Sequence, residues 1–320
     1  IFQKYYFIKN FISNKKEKFI FVVLLSNKKV FCILPFHINE KYGLKILQWI
    51  GTKEFDYCGP IIDNFYQYVG SEKIFTKLWK KILDNLNIDF IFLNKQLKKI
   101  NNVENPFVFY LNNNIFSKVF LINLVSSYEK YIKEISNKKF LNEFQRTKIK
   151  LVDENNVEFT NLDINNNELE LESIIKQKIN FLEKKKIKHL LNQEMFELFS
   201  RLKKDDPNSI KIGILKVNKE IIAANIGFIF NKRFYYYMPV IFSEKFSKFS
   251  PGKVLISFLI KWSIINKLEI FDFGLGDENY KKYWSNGSEN LSRHFSFKNL
   301  KGFIASCFVR IFIFFKNLNF

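Results

Sequence analysis

Two short stretches carry the residue types from which chemistry could be built. The first is Phe249-Ser250-Pro251-Gly252-Lys253-Val254-Leu255; the second follows soon after as Ile270-Phe271-Asp272-Phe273-Gly274-Leu275-Gly276-Asp277. A helix that begins at Pro251 leaves its first amide N–H groups without carbonyl partners, and they point out of its N-terminus along the positive end of the helix dipole. Proline suits the first helical position, where no N–H is needed. Gly252 lets a ligand approach the backbone, and Lys253 adds a cation. Ser250, Gly252, Lys253, Val254 and Leu255 together make a place to hold a phosphate-bearing cofactor. The second stretch reads as a short buried strand tipped by Asp272, then a glycine-containing loop and a second carboxylate, Asp277. Ligands of open α/β sheets sit beyond such strand ends.

Composition narrows the field. A chain of 320 residues is long for one core, so two domains are expected, over 1–126 and 127–320. A hydrophobic content of 47% with a mean hydropathy of −0.12 suits a folded, non-membrane chain. The net charge of +20 invites a nucleic-acid partner. Of the 51 basic residues, however, only Arg146, Arg201, Arg233, Arg293 and Arg310 are arginine, the side chain best suited to bidentate phosphate recognition. Dedicated nucleic-acid binding is therefore not expected. Cys32, Cys58 and Cys307 are scattered, and His37, His189 and His294 lack metal-ligand spacing. This excludes a disulfide framework and a zinc site and fits a reducing cytosol. No metal is expected, and no Ser-His-Asp or Cys-His constellation emerges. Phe303–Phe315 is apolar but too short to span a bilayer, which takes about 20 residues. It reads as a terminal element packed on the core or as a membrane-surface anchor.

The elements that must position the two stretches are legible from hydrophobic period and turn chemistry. Phe19–Leu25 and Val30–Leu34 read as strands joined by Ser26-Asn27-Lys28-Lys29, and Gly43 to Ile50 as a further apolar stretch. Ile74, Phe75, Leu78, Trp79, Ile82, Leu83 and Leu86 have helical spacing after Gly70-Ser71, and Ile88–Leu93 reads as a strand. Asn112-Asn113-Asn114 is a loop signal. Helical spacing runs from Ser127 to about Lys150, Val157–Leu162 is strand-like, and Asn165-Asn166-Asn167 breaks it. Leu169 to Leu202 reads as two helices split near Lys184-Lys185-Lys186. Ile210–Val217, Glu220–Phe230 and Arg233–Met238 are apolar runs separated by Asn218-Lys219 and Asn231-Lys232. Asn tolerates positive φ, so both pairs predict tight hairpin turns and a three-stranded antiparallel meander. A helix over Pro251–Asn266 and a strand over Leu268–Phe273 follow. A meander followed by a strand–helix–strand crossover makes an α/β fold with a mixed sheet and helices on both sides.

With these elements in place, the chain resembles a family. Ser250, Pro251, Gly252, Lys253 and Leu255, then Phe271, Asp272, Phe273, Gly274, Gly276, Asp277, Tyr280, Lys281 and Trp284, look like the GNAT-type acyltransferases associated with bacterial cellulose and exopolysaccharide biosynthesis. Those enzymes are similar to the Fem aminoacyl transferases of peptidoglycan crossbridges. Ile33-Leu34-Pro35, Gly51 and Asp56-Tyr57 fit the same pattern, so the resemblance covers nearly the whole chain. Two departures stand out against the general GNAT cofactor pattern: Ser247 replaces its Arg or Gln, and Ser250 its first Gly.

The resemblance implies tandem GNAT-like domains, the second holding acetyl-CoA or another acyl-CoA as co-substrate. Acyl transfer from a thioester needs the donor held, the acceptor deprotonated and the departing thiolate neutralised. Asp272 and Asp277 are candidates to take the proton, although Asp277 also reads as a helix N-cap. Tyr280 is the candidate to protonate the thiolate. Lys281 is placed to meet an anionic acceptor or to stay solvated. Along the strand, Tyr236 points to the face opposite Tyr235 and Tyr237, lining an acceptor cleft or packing in the core. The expected acceptor is a small molecule or glycan, such as an envelope or exported polysaccharide, reached in the cytoplasm or at the membrane surface. Two other readings follow from the same resemblance: a Fem-like transferase taking its group from aminoacyl-tRNA, and a non-catalytic module of a polysaccharide-synthesis complex.

Overall fold

A computed structural model describes residues 1–63, 71–100, 102–135, 137–163, 168–184, 186 and 193–308. Gly70, the break at Asn165-Asn166-Asn167, Lys185, His189, and Arg310 with the rest of the apolar run past Phe308 lie outside the described residues. The chain forms two compact units. One comprises Val119–Glu289 with Ile1; the other comprises Phe2–Lys118 and the described part of Asn290–Phe320. The expected division at 126/127 therefore sits beside an observed change at 118/119. Residues from Asn290 onward group with the N-terminal residues.

The unit of residues 2–118 and 290–308 opens with α1 (Tyr5–Ile12), β1 (Lys18–Ser26), β2 (Lys29–Lys41), β3 (Leu44–Trp49) and the short β4 (Ile61–Ile62). α2 (Glu72–Asp84), β5 (Phe90–Leu97), a small hairpin of β6 (Lys99–Ile100) and β7 (Val103–Glu104), and α3 (Pro106–Phe109) follow. Its strand order is β1-β2-β3-β5, completed by residues 290–297 of a late strand that pairs antiparallel with β5. Asn27 and Lys28 both have positive φ, the twist a tight hairpin requires. The expected terminal element is a helix over 300–308.

The other unit holds the two chemistry-bearing stretches. β8 (Asn113–Asn123) enters it and is followed by α4 (Tyr128–Glu134), α5 (Lys138–Glu154), β9 (Val157–Asp163), α6 (Glu168–Lys184) and α7 (Gln193–Asp205). Then come β10 (Ile210–Val217), β11 (Glu220–Phe230), β12 (Arg233–Ile241), α8 (Pro251–Ile265), β13 (Ile270–Asp272), α9 (Asn279–Trp284) and β14 (Gly287–Phe297). The strand order is β8-β13-β12-β11-β10-β9. The meander β10-β11-β12 is antiparallel, and both Asn-Lys turns have the expected positive φ at each residue. The crossover through α8 returns the chain as β13, parallel to β12, which makes the sheet mixed. β8 was unexpected, because its first residues, Asn113 and Asn114, read as loop.

One apolar core lies under α4, α5 and α8. It contains Leu215, Val217 and Ala223 from the meander, Phe234, Tyr236, Phe271 and Phe273 around the β12–β13 pair, and Val254, Leu255 and Leu259 from α8. Trp284 closes it. That ring is fully buried and meets Phe140 and Phe144 edge-on at 5.1 and 4.9 Å, and its carbonyl accepts from the Tyr131 hydroxyl. Trp284→Ala is expected to lower unfolding free energy by about 3–5 kcal/mol through lost burial and a residual cavity, read as a lower urea midpoint with an unchanged slope.

Candidate functional site

β12 and β13 pair only as far as Tyr235↔Asp272, whereas β12 runs on to Ile241. The two parallel strands thus part company, leaving one edge of β12 without a strand partner at their carboxyl ends. A crevice of this kind is where open α/β sheets take ligands. A bulge marks the parting. Ile226 faces Met238 and Gly227 faces Tyr236, so Tyr237 is the extra residue. The amide of Phe242 bonds back to Ile222 on the β11 side, so by strand alternation Ile241 and Pro239 present their backbone groups to the open edge. This accounts for a proline inside the strand: its missing N–H faces away from the ladder.

The helix start lies beside this edge. Ser250 occupies the left-handed region at φ 49°, Pro251 takes the first helical position, and no side chain caps the terminus. A Cβ built on Gly252 would lie 3.1 Å from Ile241 Cδ1, which places the first turn of α8 against the end of β12. The amides of Lys253 and Val254 both bond to the Ser250 carbonyl at 2.9 and 3.3 Å, and Val254 and Leu255 are buried in the core. Of the residues expected to hold phosphate, Gly252 is therefore the one whose amide is left open. Lys253 sits near that turn with its ammonium 5.5 Å from the centre of the Phe140 ring.

The carboxylates separate into distinct roles. Asp272 has no exposure. Its Oδ1 accepts the Gly274 amide at 2.8 Å and its Oδ2 lies 3.0 Å from Arg233 Nε. Arg233 also reaches Glu289 at 3.1 Å. With both oxygens engaged, Asp272 ties the end of β13 to the start of β12, and this geometry does not offer it to an acceptor. Asp277 is exposed and pairs with Lys282 at 3.0 Å. Read either as a proton acceptor or as a helix N-cap, it does not take the cap position, which Glu278 holds without a side-chain cap. Lys281 is buried under the loop, donating to the Leu275 carbonyl at 2.7 Å and pairing with Glu278 Oε2 at 2.9 Å. Gly276, at φ +122°, is needed there, because a Cβ would strike that ion pair, coming within 2.8 Å of Lys281 Nζ.

Two groups that sequence reasoning did not single out complete the site. Glu278 keeps a half-exposed side chain, and its Oε1 has no hydrogen-bond or ion-pair partner among the described residues. Lys178, from α6 on the other side of the sheet, donates to the Pro239 carbonyl at 2.9 Å, while its neighbour Gln177 donates to the Ile241 carbonyl at 3.2 Å. Burial holds the Lys178 pKa below the usual lysine range, with Glu278 opposing and Lys281 adding to the shift. Neither residue carried a sequence signal, since each was one charged residue among many.

Tyr236 and Tyr280 fill the space between these walls. Tyr236 is buried against Phe271 and Phe273, as alternation predicts, while Tyr237 packs on Phe199 and Phe228. Tyr280 stands edge-on to Phe273 at 6.3 Å. Burial first, then the Glu278 charge, pushes the Tyr280 phenol above its ordinary pKa; burial does the same to Tyr236, with Tyr280 and Glu278 adding to it. Both hydroxyls therefore stay protonated at neutral pH. These elements carry an uncapped helix start, a strand edge without a strand partner, a phenolic donor and an exposed carboxylate.

Residues 138–282, which contain all of these groups, match a family model described as an acetyltransferase (GNAT) domain. This segment is similar to a GNAT acetyltransferase domain. Solved structures share the fold over most of the chain. FemX aligns with 9% identity and a TM-score of 0.63, covering 92% of this chain and 91% of its own. A conserved protein of unknown function from Bacteroides thetaiotaomicron aligns with 11% identity and a TM-score of 0.58, over 92% and 90%. The C-terminal domain of a putative lysylphosphatidylglycerol synthetase from Agrobacterium fabrum aligns with 9% identity and a TM-score of 0.57, over 94% and 89%. No curated protein sequence matches the chain. The fold is the mixed α/β GNAT-like fold that the residues from Ser250 to Trp284 led us to expect. Among the described residues, no helix is long and apolar enough to cross a membrane.

Proposed function

We propose that this chain is an acyltransferase carrying an acetyl or other acyl group from coenzyme A to an amine or hydroxyl. The observation that carries this reading is the open edge of β12 ending at the uncapped start of α8. The donor's pyrophosphate sits on the Gly252 amide and the helix dipole, with Ser250 and Lys253 flanking. Its amide-containing arm runs along the edge at Ile241, whose N–H faces it, while the Pro239 and Ile241 carbonyls accept from Lys178 and Gln177. The donor supplies an activated thioester, and the chain supplies position and proton transfers.

Glu278, through its unengaged oxygen, takes the proton as the acceptor nitrogen or oxygen bonds to the acyl carbon. Tyr280 gives its proton to the sulfur as the carbon–sulfur bond breaks. Tyr236 and Lys281 shape the pocket and hold Glu278. Tyr280→Phe is expected to lower kcat by about 10²-fold, the scale of one positioned proton donor, with KM for acetyl-CoA little changed. Thiol release from acetyl-CoA measures it, and an unaltered kcat would remove Tyr280 from the mechanism. The motif resemblance adds an acceptor in an envelope or exported polysaccharide, reached from the cytoplasm where acyl-CoA is found.

The sequence resemblance to Fem aminoacyl transferases, together with the strongly basic composition, supports a second reading, transfer from aminoacyl-tRNA. Binding of tRNA that weakens steeply with salt would select it. Saturable acetyl-CoA binding in moderate salt selects the first reading. Protein that binds neither donor would be a non-catalytic module.

A further inference from the structure

We propose that the helix over 300–308 docks this chain on an anionic lipid surface. This holds whether or not the chain transfers acyl groups, because it rests on a face of the unit of residues 2–118 and 290–308. The helix packs with its faces reversed. Asn299 starts it: Oδ1 accepts the Gly302 amide at 3.0 Å, and Nδ2 donates to Asp89 Oδ1 at 2.6 Å. Gly302 then lies against the backbone of Asp89, where any Cβ would collide with the Asp89 carbonyl, and Ser306, one turn on, is buried too. A helix repeats every 3.6 residues, so Leu300, Phe303, Ile304, Cys307 and Phe308 fall on the side opposite Gly302 and Ser306. Leu300, Phe303, Ile304 and Phe308 keep 74%, 45%, 51% and 68% of their surface exposed. Phe297, at the end of β14, meets the Phe303 ring edge-on at 5.1 Å and is exposed as well, which extends the patch. A surface helix ordinarily turns its apolar stripe to the core. One that docks through small residues and presents the stripe outward calls for an apolar partner.

Charge selects that partner. From Asn290 to Phe320 the sequence carries Arg293, Lys298, Lys301, Arg310 and Lys316 and no Asp or Glu, the last two cations lying outside the described residues. Lys301 is exposed beside the stripe. The Lys298 amide donates to the Asp89 carbonyl at 2.9 Å and the Lys45 amide to the Asp89 carboxylate at 2.8 Å, so both lysines adjoin the start of the helix. A second copy seated face to face would set these cations against their own images. An anionic bilayer accepts both features at once. The aromatic and aliphatic side chains enter the boundary between headgroups and acyl chains, and the lysines stay at the phosphates. The net charge of +20 adds attraction at longer range.

The test sediments the full chain with vesicles of phosphatidylcholine alone and of phosphatidylcholine with about one-third phosphatidylglycerol. Partitioning onto the anionic vesicles is expected to exceed that onto the neutral ones by about tenfold or more and to fall as salt rises. Ile304→Asp combined with Phe308→Asp should cut anionic partitioning by about tenfold or more, with thermal unfolding unchanged because both side chains point away from the fold. Lys301→Glu should cut it by about fivefold or more. If the double variant unfolds, Phe308→Asp alone and Lys301→Glu, both at exposed positions, carry the same expectation. Protein that stays in solution with both vesicles, or partitions equally onto both, would overturn the proposal, as would folded variants that partition like wild type. Light scattering completes the test: a monomer is expected, and a dimer that the Ile304→Asp and Phe308→Asp pair dissociates would give this face to a second copy and overturn the lipid assignment.

Discussion

Gly252→Asp is expected to weaken acetyl-CoA binding by about 100-fold or more, some 2.7 kcal/mol, while leaving the protein folded. The two effects separate because the same charge acts oppositely on helix and ligand. A carboxylate in the first turn is favourable to the helix dipole by about 0.3–1 kcal/mol, so α8 loses nothing. Gly252 is not among the glycines with positive φ, so an L-residue fits its backbone. The new Cβ meets only Ile241 Cδ1 at 3.1 Å, the tip of a partly exposed side chain that can turn aside. The carboxylate itself, however, occupies the space of the pyrophosphate and repels it. Gly252→Ala adds bulk without charge and should weaken binding by roughly tenfold or less, consistent with about 1.4 kcal/mol per decade. Calorimetric titration of the three proteins checks the order, with thermal unfolding as the control for folding. Equal affinity in wild type and Gly252→Asp would remove the phosphate from this helix start.

A stability effect as large as that of Trp284→Ala belongs to the pair beneath the site. Arg233→Met strands the Asp272 carboxylate in a position with no exposure, and breaking a buried pair from one side costs about 3–5 kcal/mol. Asp272→Asn keeps an acceptor for the Gly274 amide and loses only the charge, so it should cost less. The double variant should recover much of the Arg233→Met loss, since no fully buried charge is then left unmatched and Glu289, which loses Arg233, is partly exposed. Urea denaturation of the wild type, both single variants and the double variant reads the coupling. Additive losses would mean that Arg233 and Asp272 do not depend on each other.

The parts of this molecule visible in its sequence are those decided locally. Asn218-Lys219 and Asn231-Lys232 fix the meander because a two-residue turn needs positive φ at both positions and Asn tolerates it. Pro251 fixes the start of α8 because it cannot lie deeper in a helix. What stayed hidden depends on register and packing. Asp272 read as a catalytic carboxylate because its strand-end position was visible. Its engagement by Arg233 follows only once Tyr235 is paired with Asp272 and Arg233 with Ile270. Lys281 read as solvated or substrate-facing, but the loop carbonyl of Leu275 and Glu278 draw it inward. β8 was lost to its opening asparagines, although its buried end, Val119–Ile122, is as apolar as the other strands. The return of residues 290–297 to β5 is a pairing between distant parts of the chain that no local pattern encodes.

Hydrogen exchange with and without acetyl-CoA tests the central claim most directly, because that claim concerns particular main-chain amides. A donor lying along β12 with its phosphates at the start of α8 should slow exchange in the segments 236–242 and 250–255 and leave the strands β9 and β10 unchanged. Saturating acetyl-CoA that alters neither segment, or that protects only residues elsewhere in the chain, would contradict the account.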